Sequence, residues 1–298
     1  MNSSLGVGLA LGAAVIWAIG PLFTAAAARR LGPLPTMLWR TTFVTPALLL
    51  CVGLTGAAWP APDAWLPLVL SGVLGITAGD LLITVAFVEL GPRRTVQLLT
   101  LGPCFAFLLA LVVLGEVVAP RPLAGAALVL AAGALAVWTE HRGGTGAVEP
   151  GRMTARGFWA AASGAALGAA GTVLMRAAYR ADPGLHPVAA TTVRVGSAAV
   201  GLWLIPVARG EGRRMLAALR DRPAILRVGL ATVTGPFLGM LAYVGSLRYL
   251  GAGLVTTLVS LSAVFILPIS IVRHRARVGL PAVAAALLAV GGVALISK

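Results

Sequence analysis

Ten apolar runs of about twenty residues follow one another along the chain, and they leave a water-soluble fold no room. They span roughly 5–27, 36–56, 65–89, 95–115, 121–138, 157–179, 188–208, 224–248, 253–272 and 279–297. A helix of that length crosses the hydrocarbon core of a bilayer, about 30 Å thick. Only 11% of the residues are charged, against about 25% in an ordinary soluble domain. The lipid bilayer is therefore the solvent of an all-α polytopic membrane protein. Its 37 glycines and 19 prolines suit membrane helices, where small residues let backbones approach and breaks are tolerated.

The net charge of +14 does not point to nucleic acid. The arginines lie in short loops between apolar runs, where they set topology. Loops after runs one, three, five, seven and nine hold sixteen of the 23 Lys and Arg, the other side holds four (Arg121, Arg180, Arg248 and Lys298), and three lie within runs. The positive-inside rule then places both termini outside the cytoplasm. Cys51 and Cys104 fall inside apolar runs without a CxxC spacing and read as small buried apolar residues. His141, His186 and His274 are scattered through loops, so neither a metal site nor a cofactor is expected. The MNSSLG start lacks a basic leader, which makes the first run a retained span.

The chain repeats itself. A shift of 160 lays Gly75, Gly79 and Gly91 onto Gly235, Gly239 and Gly251, and a shift of 154 lays Pro33 and Arg40 onto Pro187 and Arg194. The division is 1–140, a linker over 141–156, and 157–298. Five helices per half is an odd number, so the second copy enters the membrane the other way up, as in many secondary transporters.

The run from Gly79-Asp80 through LGPRRTVQLLTLGPCFAFLLALVVLGE and on to PLAGAALVLAAGALAVW resembles the EamA-type repeat of the drug/metabolite transporter superfamily. Pro103 and the ending Leu114-Gly115-Glu116 match that repeat's fourth helix and the turn after it. The resemblance covers nearly the whole chain. It implies ten transmembrane helices in two inverted five-helix repeats around a central cavity. It also implies proton-driven, exchange-driven or facilitated transport of a small-molecule substrate, by a monomer or homodimer. The second copy departs from the pattern: Pro103 meets Ala263, Asp80 meets Met240 and Glu116 meets Ala276. Members of the superfamily are usually drawn with cytoplasmic termini, against the arginine count of this chain.

Asp80 is the one carboxylate midway along an apolar run, and such charges mark function or a paired structural role. Helical spacing puts it on a face with Thr77, Thr84 and Phe87; Arg40 in the neighbouring helix is its expected partner. Arg40 and Arg194 could clamp a carboxylate, snorkel to headgroups or hydrogen-bond to carbonyls at broken helix ends. Gln97, Thr100 and Cys104 form a polar stripe in the fourth run, with Thr257, Ser260 and Val264 as its counterpart in the ninth. Trp17 and Tyr243 offer aromatic faces, and Trp59 and Trp65 fit an interfacial belt. Pro21, Pro103 and Pro236 mark expected helix breaks and hinges, and Glu116 pins the turn after the fourth run. The candidate substrate-binding or coupling set is thus Asp80, Arg40, Arg194, Thr84, Gln97, Trp17 and Tyr243. The expected function is alternating-access export of small metabolites such as amino acids. An intramembrane lipid-modifying enzyme, or a non-transporting subunit of a membrane complex, is the competing reading; the acids are too few and scattered for the former.

Overall fold

The computed structural model describes residues 3–142, 154–262, 264–265 and 280–297; most of the expected linker, the end of the ninth run and His274 lie outside the described residues. Every described regular element is helical. In chain order they are α1 (Ser3–Leu31), α2 (Pro33–Thr55), α3 (Pro62–Glu89), α4 (Pro92–Leu99), α5 (Gly102–Leu114) and α6 (Pro120–Arg142). Then come α7 (Ala155–Ala181), α8 (Pro187–Ala208), the short α9 (Gly212–Ala217), α10 (Arg222–Leu247), α11 (Ala252–Ser260) and α12 (Leu280–Ser297). Six of them (α1, α2, α3, α7, α8 and α10) are long and apolar enough to cross a membrane. Shorter apolar stretches lie in α5, α6 and α12.

The boundaries follow from local chemistry. Proline opens α2, α3, α4, α6 and α8, at the position where its missing N–H and fixed φ cost nothing. Thr154 caps α7 by accepting from Gly157 N at 3.0 Å, and Asp221 caps α10 from Ala224 N at 3.2 Å. The carboxyl of Asp221 is held below the usual carboxylate range, chiefly by its hydrogen bond from Arg30 at the end of α1. Gly115 ends α5 with φ 61°, a left-handed conformation in which a side chain would be strained.

The main packing pairs join the two halves: α1 with α10, α2 with α8, α3 with α7, α5 with α11, and α6 with α12. Exchanging the halves maps this set onto itself, since α1 corresponds to α7 and α3 to α10. Contacts at the two rims fix direction. At one rim Ala61 N, at the start of α3, donates to Asp182 Oδ2, just past the end of α7, at 3.0 Å. At the other, Glu89 at the end of α3 meets Thr154 and Arg156 at the start of α7. Helices α3 and α7 therefore run antiparallel.

Glycine makes that contact close. A Cβ on Gly171 would lie 2.7 Å from Gly75 Cα and 3.0 Å from Ser71 O, so the backbones touch where side chains would otherwise keep them apart. The outward faces carry exposed Leu50, Leu54, Val112, Leu204 and Val207, as a lipid-facing surface should. Cys104 shares that outward exposure and Cys51 is half-buried. The expectation that both are buried is thus corrected: a thiol is apolar enough to face acyl chains. Trp59 and Trp65 stack at 6.2 Å beside the start of α3, both exposed.

The expected breaks fall differently from the prolines. Helix α1 runs unbroken through Pro21. The fourth run splits at Thr100-Leu101 into α4 and α5, just ahead of Pro103. Helix α10 widens into a π-helical stretch at Val233–Phe237, around Pro236. Helix α3 does the same at Val73–Asp80 without any proline. Such widened turns are rare and gather at functional sites.

Gly171→Ala should therefore lower the melting temperature of the detergent-solubilised protein by the equivalent of about 1–3 kcal/mol, because the added methyl meets backbone. Gly168→Ala, whose Cβ meets nothing within 4 Å, should be neutral or slightly stabilising. Thermal unfolding of the two variants side by side checks the difference.

Candidate functional site: a cavity on the seam between the halves

Between the halves lies a cavity of about 250 Å³, walled by α1, α2, α3, α4, α5, α7, α8, α10 and α11. That is close to the lower end of small-molecule sites, about 300–1,000 Å³. Asp80, at the end of the π-helical stretch of α3, faces into it. Arg40 Nη2 donates to Asp80 Oδ2 at 3.1 Å, and its Nη1 to Thr24 Oγ1 at 3.4 Å. Asp80 thus has the arginine partner expected of it and a place in the cavity wall at once.

Arg194 occupies the equivalent place on α8, and both arginines lie across glycines of the opposite half. A Cβ on Gly235 would be 3.6 Å from Arg40 Cζ, and one on Gly75 would be 3.0 Å from Arg194 Nη2. Yet their surroundings differ. Arg194 is 4% exposed, and the expectation that it might snorkel to headgroups is corrected. Its Nη1 donates to Gly171 O at 3.3 Å, its Cζ lies 6.0 Å from the ring centroid of Tyr243, and its Nε, like that of Arg40, has no acceptor. Met240 stands where symmetry would put a second aspartate.

The aromatic pair expected at the cavity is present. Trp17 and Tyr243 have ring centroids 5.1 Å apart with planes at 40°. Trp17 Nε1 donates to Gly235 O at 3.4 Å, and the Tyr243 hydroxyl is hydrogen-bonded to Thr172 Oγ1. Thr84 lines the cavity but spends its hydroxyl on Asp80 O at 2.8 Å. Gln97 belongs to α4, and its side chain lies outside the described residues.

Other expectations are corrected. Thr77 does not share the cavity face of Asp80; it donates to Ala198 O of α8 at 3.1 Å. The π-helical stretch turns the backbone differently, so ordinary i, i+3 spacing no longer aligns the two. Thr257 bonds back to Gly253 O and is buried, and it is Thr256 and Ser260 that reach the cavity, with Thr100 opposite. Pro21 and Pro103 line the wall; Pro236 is buried beside it. Thr24 and Thr172 went unseen in the sequence, since a threonine one helix away from a charge gives no periodic signal.

Glu116 stays out of the cavity and ties one rim together. Its Oε1 accepts from Arg176 Nε at 2.9 Å and Arg180 Nη2 at 3.0 Å, and its Oε2 from Ala252 N, at the start of α11, at 3.3 Å. Arg176 also donates to Leu247 O at 2.6 Å, at the end of α10. One carboxylate of the first half thus gathers three elements of the second. On the cavity side of this knot, Thr172 and Tyr243 are joined.

A family model, the EamA-like transporter family, matches residues 4–138 and again 155–298. The two matches cover each half of the seam. The chain belongs to the EamA-like transporter family. Its members are membrane transporters of the drug/metabolite transporter superfamily. Among curated proteins nothing matches. Solved structures do: one crystal structure superposes over 98% of this chain and 96% of its own with a TM-score of 0.69, at 20% identity. At that identity the likeness speaks for the fold alone.

Glu116→Ala should destabilise the protein by about 2–4 kcal/mol, since it strands Arg176 and Ala252 N in a partly dry rim. Arg180→Ala should cost under about 1 kcal/mol, because that side chain is 43% exposed. Thermal unfolding in one detergent, at fixed salt, checks the ordering.

Proposed function

We propose that this protein is a secondary transporter of small metabolites such as amino acids, exporting them across the cytoplasmic membrane by alternating access. Its ten spans form two inverted five-helix repeats, and the second repeat starts on the opposite face of the bilayer from the first. Antiparallel α3 and α7, and the exchange symmetry of the packing pairs, support that topology. Both termini are extracytoplasmic, on the strength of the sixteen-to-four arginine bias.

One observation carries the reading: the cavity sits on the seam of the two repeats and holds the chain's lone mid-span acid, paired to Arg40. Transporter sites lie at such repeat interfaces. The rim of Ala61, Asp182 and Glu116 is closed by the hydrogen bonds described above. The cavity reaches instead toward Phe87 and Val96, near the arginine-rich loops. This conformation accepts substrate from the cytoplasmic side.

Rocking is a relative rotation of the two repeats about the glycine contacts of α3 with α7, with the π-helical stretches of α3 and α10 absorbing the bend. Asp80 then works as a switch. Substrate ammonium or a proton competes with Arg40 for its carboxylate, and loss of the ion pair loosens α2 from α3. Movement is thereby proton-coupled or facilitative according to which partner Asp80 takes.

Asp80→Asn keeps the shape and removes the charge. In proteoliposomes given a labelled amino-acid panel, with and without a pH gradient, it should transport at under a tenth of the wild-type rate while melting within a few degrees of it. Wild-type flux in that variant would remove Asp80 from the mechanism.

A further inference from the structure

The two halves carry one arginine each at matching positions, but only one carboxylate between them. Arg40 has Asp80 at 3.1 Å. Arg194 has no carboxylate within 4 Å among the described residues, because its symmetry mate for Asp80 is Met240. Its contacts are a single long hydrogen bond to Gly171 O and a place over the Tyr243 ring, 6.0 Å from its centroid. It is nevertheless 96% buried and part of the cavity wall. An isolated buried guanidinium is costly, and burial is tolerated where a partner arrives. Asp80 lies close enough for the two charges to feel each other, but it is already engaged with Arg40.

We infer that Arg194 is a carboxylate-binding residue and that the preferred substrate is a small organic monoanion with an apolar body. The cavity supplies both halves of that requirement. The guanidinium can offer two parallel N–H donors to a carboxylate, with its unpartnered Nε on the same side chain. The rest of the wall is mainly apolar, from Trp17, Ile83, Phe87, Leu99 and Val259. Charge adds a second argument. Arg40, Asp80 and Arg194 sum to one positive charge, so a monoanion leaves the cavity neutral whereas a zwitterion or a neutral molecule leaves it charged. The inference rests on the transporter reading for the cavity being the substrate path; within small metabolites it replaces amino acids with monocarboxylates, which leaves the proton as the competitor of Arg40 for Asp80.

Three probes of nearly one shape and different charge decide the matter: 3-phenylpropanoate, 3-phenylpropanamide and L-phenylalanine. Purified full-length protein in detergent is titrated with each, reading binding by calorimetry. Proteoliposome flux of the same compounds is read separately. The expected result is that 3-phenylpropanoate binds at least tenfold more tightly than the amide or the amino acid. Arg194→Gln should lose that preference, and Arg194→Lys should retain part of it.

Met240→Asp places a carboxylate where the symmetry of the halves would have one. It leaves Arg194 in place and gives it a partner. It should abolish 3-phenylpropanoate binding without lowering the melting temperature, which separates loss of the site from loss of the fold. Equal affinity for the three probes, tighter binding of L-phenylalanine, or unchanged anion binding in Arg194→Gln and Met240→Asp would each overturn the inference. Selective anion binding without flux would uphold the subsite and count against the transporter reading. Flux of the amide or the amino acid alone would uphold the transporter and overturn the subsite.

Discussion

The close approach of α3 and α7 is the constraint from which the rest of the molecule follows. Lipid offers no hydrophobic reward for bringing two helices together, so contact has to come from backbone shape and from polar groups satisfied across the interface. Gly75, Gly79, Gly164 and Gly171 supply the shape. Ser71, donating to Gly171 O, supplies the polar link, and Thr77, donating to Ala198 O, ties α3 to α8 beside it. The same geometry recurs with the halves exchanged, where α1 meets α10 and Gly239 approaches Trp17. A seam built from glycines is narrow where they meet and leaves a hollow where the helices diverge. The cavity is that hollow.

Placing ionisable groups beside such a seam makes them costly and specific. The Asp80 and Arg40 side chains are 29% and 12% exposed, so their pairing is wetted by the cavity and can be exchanged for other partners. Arg194 is drier and has no such outlet. The family model matches both halves, and in line with that two arginines occupy matching positions of α2 and α8; the second half has methionine where the first has aspartate, which leaves Arg194 without a carboxylate. Functional asymmetry here resides in side chains on a nearly symmetric scaffold.

Much of this could be read before any coordinates. Apolar run lengths gave α1, α2, α3, α6, α7, α8, α10 and α12 to within a few residues, while the fourth run is split in two and the end of the ninth lies outside the described residues. The one carboxylate midway along an apolar run located Asp80, and its partner Arg40 followed from the adjacent helix. What escaped was set by geometry that sequence does not encode locally. No residue type announces the π-helical stretch at Val73–Asp80, and that stretch turns Thr77 away. Proline misled in α1, where Pro21 sits inside a continuous helix. Threonines 24 and 172 owe their roles to helices brought alongside from distant sequence. Arg194 was placed at the right helix position, but only tertiary structure reveals that it has been left without a counter-charge.

The two rims are fastened by ion pairs of unequal exposure. Glu89 and Asp221 are 25% and 23% exposed, with Arg156 and Arg30 at 76% and 52%; Glu116, at the opposite rim, is 11% exposed, with Arg176 at 21% and Arg180 at 43%. Dissolved ions screen exposed pairs over about 8 Å at physiological strength and reach buried ones far less. Electrolyte concentration therefore acts on one latch and spares the other. The balance between the two faces of this molecule is tied to the saltiness of the compartment that its arginine-rich side meets.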